Sequence, residues 1–162
     1  MATIAVPTGI LIRRATEQDI PDLVRLRIAL MKDLDRFPTG ADITAFASSV
    51  HHYLDHALPA QTYIAWIAET NGAIVACVGA ELHIRMPHPR NPQGREFYMI
   101  NVYTEPEYRR LGLAEQLVRC AIDFARENAF PMIVLHATPQ GRPLYTKLGF
   151  QPGTNEMILH LR

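Results

Sequence analysis

The residues with the clearest chemical meaning lie in one segment, residues 102–114, where a predicted strand ends and a helix begins at about Gly112. The first amides of a helix have no intrahelical acceptor, and the helix dipole makes that end positive. Gly112 and the small Ala114 let a ligand approach this backbone closely, and Arg109 and Arg110 add fixed positive charge. The segment therefore predicts a phosphate-binding turn at a helix N-terminus.

This turn differs from two common phosphate-binding motifs. No Gly-Lys-Ser/Thr follows it, as in a Walker A loop, and the Gly-x-Gly-x-x-Gly dinucleotide fingerprint is absent. Arg-x-x-Gly-x-Ala is a weak signal by itself, because an arginine-rich turn before a surface helix has the same pattern.

A second motif strengthens the interpretation: Gly141-Arg-Pro-Leu-Tyr-Thr-Lys-Leu-Gly-Phe150 follows further along the chain. In this order and spacing, the two motifs resemble the GNAT superfamily of N-acetyltransferases. In that family Arg/Gln-x-x-Gly-x-Gly/Ala, between a strand and a helix, binds the pyrophosphate of acetyl-CoA, and a later helix carries Tyr-x-Lys-x-Gly-Phe. The resemblance runs from about Ile10 to Leu161 and is most specific from Tyr98 to Phe150.

The resemblance implies a binding site for acetyl-CoA as co-substrate. The backbone of Val102 and Thr104 is expected to pair with the pantetheine arm as an added strand would. The amides of residues 110–114 are expected to hold the pyrophosphate, with Arg109 at the first position of the motif. The predicted cofactor-binding residues are Val102, Tyr103, Thr104, Arg109, Arg110, Leu111, Gly112, Leu113, Ala114 and Thr138.

Tyr145 falls on the family's general-acid tyrosine, which protonates the departing CoA thiolate. A phenol with a pKa of about 10 must be held close to a thiolate of about 8.5, because that proton transfer is slightly uphill. The oxyanion needs hydrogen-bond donors, and the strand amides near Val102 and Tyr103 are expected to supply them. The alternative for Tyr145 is a packing role on an amphipathic helix.

The attacking amine must be neutral, so a base must accept its proton. Glu96 begins the predicted cofactor-binding strand and Glu81 lies on its neighbour. In the family, a carboxylate on such strands often serves as the base, usually through water. The alternative for each is a solvated charge at a sheet edge. Asn155 and Glu156, before a predicted last strand, are further candidates for the acceptor side.

Three positions depart from the family pattern. Thr138 and Gly141 stand where members often carry asparagine and alanine, and Arg110 stands where a glycine often follows the motif's arginine. Thr138 can still hydrogen-bond a pantetheine carbonyl or a water. Arg110 is tolerable if only its amide is used.

The histidines and cysteines suggest no second chemistry. His52 and His56 are four residues apart on a predicted helix, but no third ligand is evident, so no metal is predicted. His136 lies where the cofactor strand and its neighbour should part, which makes it a candidate substrate contact. Cys77 and Cys120 are predicted to be reduced core thiols, because direct attack by an amine needs no covalent enzyme intermediate.

These residues must be positioned by strands and helices that interleave without strict alternation, which predicts an α+β fold around a mixed sheet. The resemblance implies a GNAT-like, mostly antiparallel twisted sheet of six or seven strands flanked by about four helices. The predicted strands cover residues 10–15, 62–68, 73–78 with an extension towards 86, 97–104, 132–136 and 155–161. The predicted helices start near Asp19-Ile20-Pro21, at Ile43 (ending at Ala57), at about Gly112 and at Arg142 (ending at Leu148). Asn71-Gly72 predicts a hairpin turn.

Length and composition bound the remaining choices. The 162 residues form one domain's worth of chain, with residues 1–9 expected to be a flexible extension. Sixteen basic and sixteen acidic residues balance, which argues against a nucleic-acid or polybasic membrane binder. The N-terminus lacks signal-peptide features, so a cytoplasmic location is expected. A homodimer is an expectation from resemblance alone.

The sequence therefore predicts an acetyl-CoA-dependent N-acetyltransferase that acetylates a primary amine of a small molecule in a ternary complex. Two alternatives stay open at this point. One is acetylation of a protein N-terminus or lysine, and the other is a non-catalytic acyl-CoA-binding regulatory module.

Overall fold

The computed structural model describes residues 9–153 and Leu159. Its elements in chain order are β1 (Ile10–Arg14), α1 (Ile20–Asp33), α2 (Ile43–Ala57), β2 (Tyr63–Thr70), β3 (Ala73–Ile84), β4 (Arg95–Thr104), α3 (Leu113–Glu127), β5 (Ile133–Val134) and α4 (Arg142–Lys147). The strands form one sheet in the order β1-β2-β3-β4-β5, antiparallel except for the β4–β5 pair. The predicted α+β mixed sheet is confirmed.

The sheet is covered on both faces, so its central strands are apolar on both sides. One face packs on α1 and α2 through residues such as Leu26, Leu54 and Ile67. The other packs on α3 through Phe97 and Leu117 among others. This explains why the central strands appear in the sequence as continuous apolar runs instead of alternating ones.

At two junctions between elements the structure shows the contacts that the local sequence predicts. Asn71 and Gly72 have φ of 50° and 75°, as a two-residue I′ hairpin turn between β2 and β3 requires. Between β1 and α1, the buried carboxylate of Asp19 accepts hydrogen bonds from both guanidinium nitrogens of Arg13, each at 2.8 Å, and from the amide of Thr16. These contacts fix the first helix on the edge strand.

The prediction of six or seven strands is corrected to five within the described residues. Apart from Leu159, the predicted last strand, residues 155–161, lies outside those residues, as do the candidates Asn155 and Glu156. The strand predicted at 132–136 shrinks to Ile133–Val134, because β5 soon diverges from the partner that would supply its hydrogen bonds. The described residues contain four α-helices, and α2 has the predicted bounds.

The divergence of β4 and β5 is the feature that positions the site. The two strands pair only at Phe97–Ile133 and Tyr98–Val134. On its other side β4 bulges against β3, because Cys77 faces Tyr103 while Gly79 faces Ile100. Asn101 in this bulge adopts φ of 56°, a left-handed conformation that asparagine tolerates better than most residues.

Within the described part of the chain, no helix has the length and apolar character needed to cross a bilayer.

Candidate active site

A cavity of about 1100 Å³ lies where β4 and β5 part. Its walls come from the second half of α1, from β4, from the first turn of α3, and from the segment 135–147 that includes α4. All ten cofactor-binding residues predicted from the sequence, except Leu111, line this cavity, and so does Tyr145. The structure thus brings together two motifs that are separated along the chain.

The turn before α3 presents backbone N–H groups to the cavity. Arg110 and Gly112 both have positive φ, 65° and 80°, and these two residues reverse the chain before the helix. The first intrahelical bond is donated by the amide of Gln116 to the Gly112 carbonyl at 3.1 Å, so the amides of residues 113–115 have no acceptor within the helix. Such a terminus favours an anionic ligand such as a diphosphate.

The left-handed φ of Arg110 shows why a glycine is often found at this position of the family pattern. A glycine fits this conformation without steric cost, whereas an arginine is strained there. The Arg110 side chain is exposed. The turn therefore adopts this left-handed conformation without a glycine at residue 110.

Arg109 braces the turn against the rest of the fold. Its Nε donates to the Thr104 carbonyl at 2.9 Å, its Nη2 forms a close ion pair with Asp33 of α1, and its guanidinium lies 5.6 Å from the centre of the Tyr103 ring. The ion pair with Asp33 raises the pKa of Arg109 further above its ordinary value. The side chain of Arg109, in the turn before α3, thus connects this turn to β4 and to α1.

Tyr145 is buried, with 9% of its surface exposed, and it reaches the cavity from α4. Its ring packs edge-on against Phe150, and the bare Cα of Gly141 lies beneath it, since a Cβ at residue 141 would lie 3.0 Å from the Tyr145 Cε2 atom. Burial raises the pKa of Tyr145 to about 12. No described residue hydrogen-bonds its hydroxyl, so this group is available to a ligand.

Thr138 has a local role that the sequence did not reveal. Its Oγ1 accepts a hydrogen bond from the Gly141 amide at 3.1 Å, just before α4 begins. Thr138 therefore stabilises the start of the helix that carries Tyr145 while also lining the cavity.

An ion pair between a buried carboxylate and an exposed lysine joins α4 to α3. Glu115, in the first turn of α3 and only 6% exposed, accepts from Lys147 Nζ at 2.6 Å and from Arg119 Nη2 at 2.8 Å. Lys147, followed by Arg119, lowers the pKa of Glu115, so the carboxylate stays ionised. The contact fixes the helix with the predicted acid against the predicted diphosphate site.

The two predicted base candidates lie beside the cavity and do not line it. Glu81 accepts from the Tyr53 hydroxyl at 3.1 Å and lies 3.2 Å from His83 Nε2. Glu96 pairs with Arg85 at 2.6 Å and lies 3.5 Å from His83 Nδ1. Burial opposes ionisation of Glu96, but Arg85 outweighs it and the pKa of Glu96 falls below its ordinary value. Any role of either carboxylate as base would run through water or a small rearrangement.

His136 does line the cavity, at the point where β4 and β5 part, as the sequence predicted. Its Nδ1 lies 2.5 Å from the Tyr98 hydroxyl. The ring of Tyr98 in turn stacks on His83, with centroids 6.0 Å apart. A polar side-chain cluster of α2, β3 and β4 thus extends from the cavity wall to Glu81 and Glu96.

Sequence reasoning missed Arg27 and Asn101, both of which line the cavity. The Arg27 Nη1 donates to the Asn101 Oδ1 at 2.6 Å, and the Asn101 Nδ2 donates to the Tyr63 hydroxyl at 3.1 Å. One signal was available, because Arg27 is four residues after Leu23 and three before Leu30. It is a charged residue next to the apolar stripe of α1.

Comparisons with known proteins agree with this geometry. The acetyltransferase (GNAT) family profile matches residues 28–150. N-acetyltransferase 8 of Rattus norvegicus is 34% identical over 90 residues, which is 53% of this chain and 38% of the relative. N-acetyltransferase 8 of Homo sapiens is 29% identical over 89 residues, 53% of this chain and 37% of the relative. The alignments thus span less than half the length of these curated relatives.

Two crystal structures match over nearly their full length. A predicted acetyltransferase from Clostridium acetobutylicum, solved with acetyl-CoA, is 30% identical with a TM-score of 0.84, covering 93% of this chain and 96% of the other. A GCN5-related N-acetyltransferase from Ralstonia eutropha is 29% identical with a TM-score of 0.82, covering 94% and 99%. With the family profile covering most of the sequence and the fold matching these structures, this chain belongs to the GNAT family of acetyltransferases.

Proposed function

We propose that this protein transfers the acetyl group of acetyl-CoA to a primary amine of a small molecule, by direct attack in a ternary complex. One observation carries the proposal. A single cavity contains the separating end of β4, the N-terminus of α3 and the side chain of Tyr145. Tyr145, the end of β4 and the N-terminus of α3 can hold, respectively, the departing thiolate, the extended arm and the diphosphate, which follow one another in acetyl-CoA. The crystal structure with acetyl-CoA from Clostridium acetobutylicum supports this choice of co-substrate.

In this proposal the backbone does most of the cofactor binding. Val102 and Thr104 pair with the pantetheine arm along the side of β4 that faces away from β3. The amides of residues 110–114 hold the diphosphate at the positive end of α3. Leu111, Leu113 and Thr138 complete the predicted contacts, and Arg109 keeps the turn in place through Thr104 and Asp33.

The chemical step needs a base, an oxyanion site and an acid. The amine gives up its proton, through water, to Glu81 or Glu96 and then attacks the thioester carbon. Strand amides near Val102 and Tyr103 stabilise the tetrahedral oxyanion. As the intermediate collapses, the carbon–sulfur bond breaks and Tyr145 donates its proton to the sulfur. The nitrogen loses its remaining extra proton to solvent, and Tyr145 regains a proton from solvent. Because burial raises the pKa of Tyr145 to about 12, the phenol is protonated at neutral pH. The same shift makes proton transfer to a thiolate of about 8.5 more uphill, so the hydroxyl must lie close to the sulfur for the transfer to occur.

The choice of a small acceptor rests on the balanced charge of the chain. A protein N-terminus or lysine is the competing class of acceptor.

Calorimetric titration with acetyl-CoA, followed by thiol release with a panel of free amines and lysine-containing peptides, tests the function. We expect acetyl-CoA to bind and to raise the Tm, because a ligand of the native state stabilises it. We also expect free amines to release CoA faster than peptides. Binding without thiol release for any acceptor would favour a regulatory module, and absence of binding would end the proposal.

A further inference from the structure

The charges that line the cavity do not cancel one another. Its described carboxylates are Asp33 and Glu115, and each is already held in an ion pair, Asp33 by Arg109 and Glu115 by Lys147. Arg27 and Arg110 also line the cavity. Neither of these arginines has a carboxylate partner among the described residues.

The two arginines lie at different parts of the cavity. Arg110 is in the turn before α3, where the diphosphate of the co-substrate is proposed to bind. Arg27 projects from α1 and contacts Asn101 in the bulge of β4, next to the strand residues proposed to hold the thioester end. The positive charge of Arg27 is therefore not accounted for by the diphosphate.

Arg27 and Tyr145 approach the cavity from opposite faces of the sheet. Tyr145 packs with α3 in one core, whereas α1 packs in the other. In the proposed mechanism Tyr145 faces the departing sulfur from the α3 side of the sheet, which leaves the α1 side of the cavity for the amine. A group attached to that amine then passes close to Arg27.

Arg27 is half-buried, and of its guanidinium N–H groups only Nη1 has a hydrogen-bond acceptor among the described residues. Its Nη1 is engaged by Asn101 Oδ1 at 2.6 Å, and Asn101 is itself held through Nδ2 by Tyr63. This chain fixes the direction of the arginine, whose fork of N–H groups matches a carboxylate in two-point contact. A half-buried cation without an ionic partner gains from an anion that a ligand brings.

We propose that the acceptor of this acetyltransferase carries a carboxylate near its amine and that Arg27 binds this carboxylate. The inference rests on the proposed function and narrows it to amino acids and related aminocarboxylates. It makes Arg27 a specificity-determining residue of the acceptor side.

The test uses acceptor pairs with closely matched amines. One set comprises aminocarboxylates of increasing length, together with α-amino acids, and the partner set comprises the corresponding amines without the carboxylate. Each is assayed by thiol release with the wild type, Arg27→Gln, and the control Arg36→Gln. Arg36 is exposed and lies outside the cavity lining.

We expect the wild type to prefer at least one aminocarboxylate over its partner amine by about tenfold or more in kcat/KM. Arg27→Gln should abolish that preference, chiefly through the KM of the aminocarboxylates, and should lower kcat/KM of the plain amines much less, while Arg36→Gln should behave as the wild type. A purely structural role of Arg27, as a support for Asn101, would lower turnover of both members of a pair alike and would overturn the proposal.

A second measurement keeps the inference testable if turnover is slow. Binding of the N-acetylated aminocarboxylates in the presence of CoA should be detectable by calorimetry for the wild type and lost in Arg27→Gln. If no aminocarboxylate is preferred and none of these products binds, while acetyl-CoA binds normally, the acceptor assignment is wrong and the proposed function stands. If acetyl-CoA itself fails to bind, it is the proposed function that fails.

Discussion

At the scale of single residues, Tyr145 carries the most direct chemical expectation. It is buried between Phe150 and Gly141, yet its hydroxyl has no hydrogen-bond partner among the described residues. A tyrosine placed only for packing would usually satisfy its hydroxyl or leave it in water. This arrangement is better explained by a group that bonds to a ligand.

We expect Tyr145→Phe to lower kcat by at least about tenfold, since a positioned general acid typically contributes more than that. The Tm and the affinity for acetyl-CoA should stay near those of the wild type, because the change removes no internal hydrogen bond. Steady-state kinetics and calorimetry on the same preparations check both expectations. Turnover equal to the wild type would remove the proposed role of the tyrosine.

Residue-level reasoning from the sequence predicted Tyr145 and the turn before α3 as parts of one site, because a motif specified both type and spacing. Both line the same cavity, and their roles stay predictions. Such reasoning could not find Arg27 or Asp33, because their roles depend on how α1 crosses the end of β4, far away in the chain. It also could not show that Glu81 contacts Tyr53 and that Glu96 contacts Arg85. Tyr53 lies on α2, and Arg85 follows β3 whereas Glu96 lies on β4, so each contact joins separate elements.

At the scale of elements, the turn before α3 depends on a glycine with φ of 80° at residue 112. Gly112→Ala should strain this turn by about 1 kcal/mol and displace the amides proposed to hold the diphosphate. We expect the Kd for acetyl-CoA to rise about tenfold or more, because several charge-assisted hydrogen bonds weaken together.

The matched control is Gly72→Ala, at the β2–β3 hairpin. Gly72 has a similar φ of 75°, and a Cβ there would meet nothing within 4 Å, so the backbone strain is comparable but far from the cavity. Both variants should lose similar stability in thermal unfolding, and only Gly112→Ala should lose affinity in calorimetry. Equal affinities for the two variants would contradict the proposed diphosphate site.

The elements themselves were largely predictable, and the exceptions have physical reasons. The periodicity of α2 and the Asn71-Gly72 turn are local signals, and both were confirmed. The predicted length of β5 was wrong. Residues 132–136 are strand-forming types, which favoured a longer strand, but pairing with β4 ends after Val134. Whether a strand continues is decided by its neighbour, which the local sequence does not contain.

At the scale of the whole molecule, we expect the free energy of unfolding to depend on pH through the ion pair that joins β1 to the start of α1. Hydrogen bonds from Arg13 hold the pKa of Asp19 at about 2, below its ordinary 3.8. A carboxylate whose pKa is lowered in the folded state stabilises that state above its unfolded pKa. The stabilisation is lost as the pH falls through the folded pKa.

We therefore expect Asp19→Asn to lower the free energy of unfolding by about 2 kcal/mol at neutral pH. The difference from the wild type should shrink below a pH of about 4 and approach zero near 2. Urea unfolding at several pH values measures this. Asp123→Asn is the control, because its side chain is 64% exposed and its contact with Arg126 is 3.5 Å long, so little change is expected. A constant difference across the pH range would refute the assigned ion pair.

The brief ladder between β4 and β5 also bears on how the protein moves during its cycle. If the pantetheine arm lies along β4, it acts as an additional strand while it is bound. It then fills the gap between β4 and the segment that carries β5 and α4. The sheet would then gain this strand when acetyl-CoA binds and lose it when CoA leaves. The region around β4 and β5 would therefore be more rigid in the bound state than in the free protein. Release of CoA would then require β4 and β5 to separate from the pantetheine arm. The rate of this separation would set an upper limit on kcat.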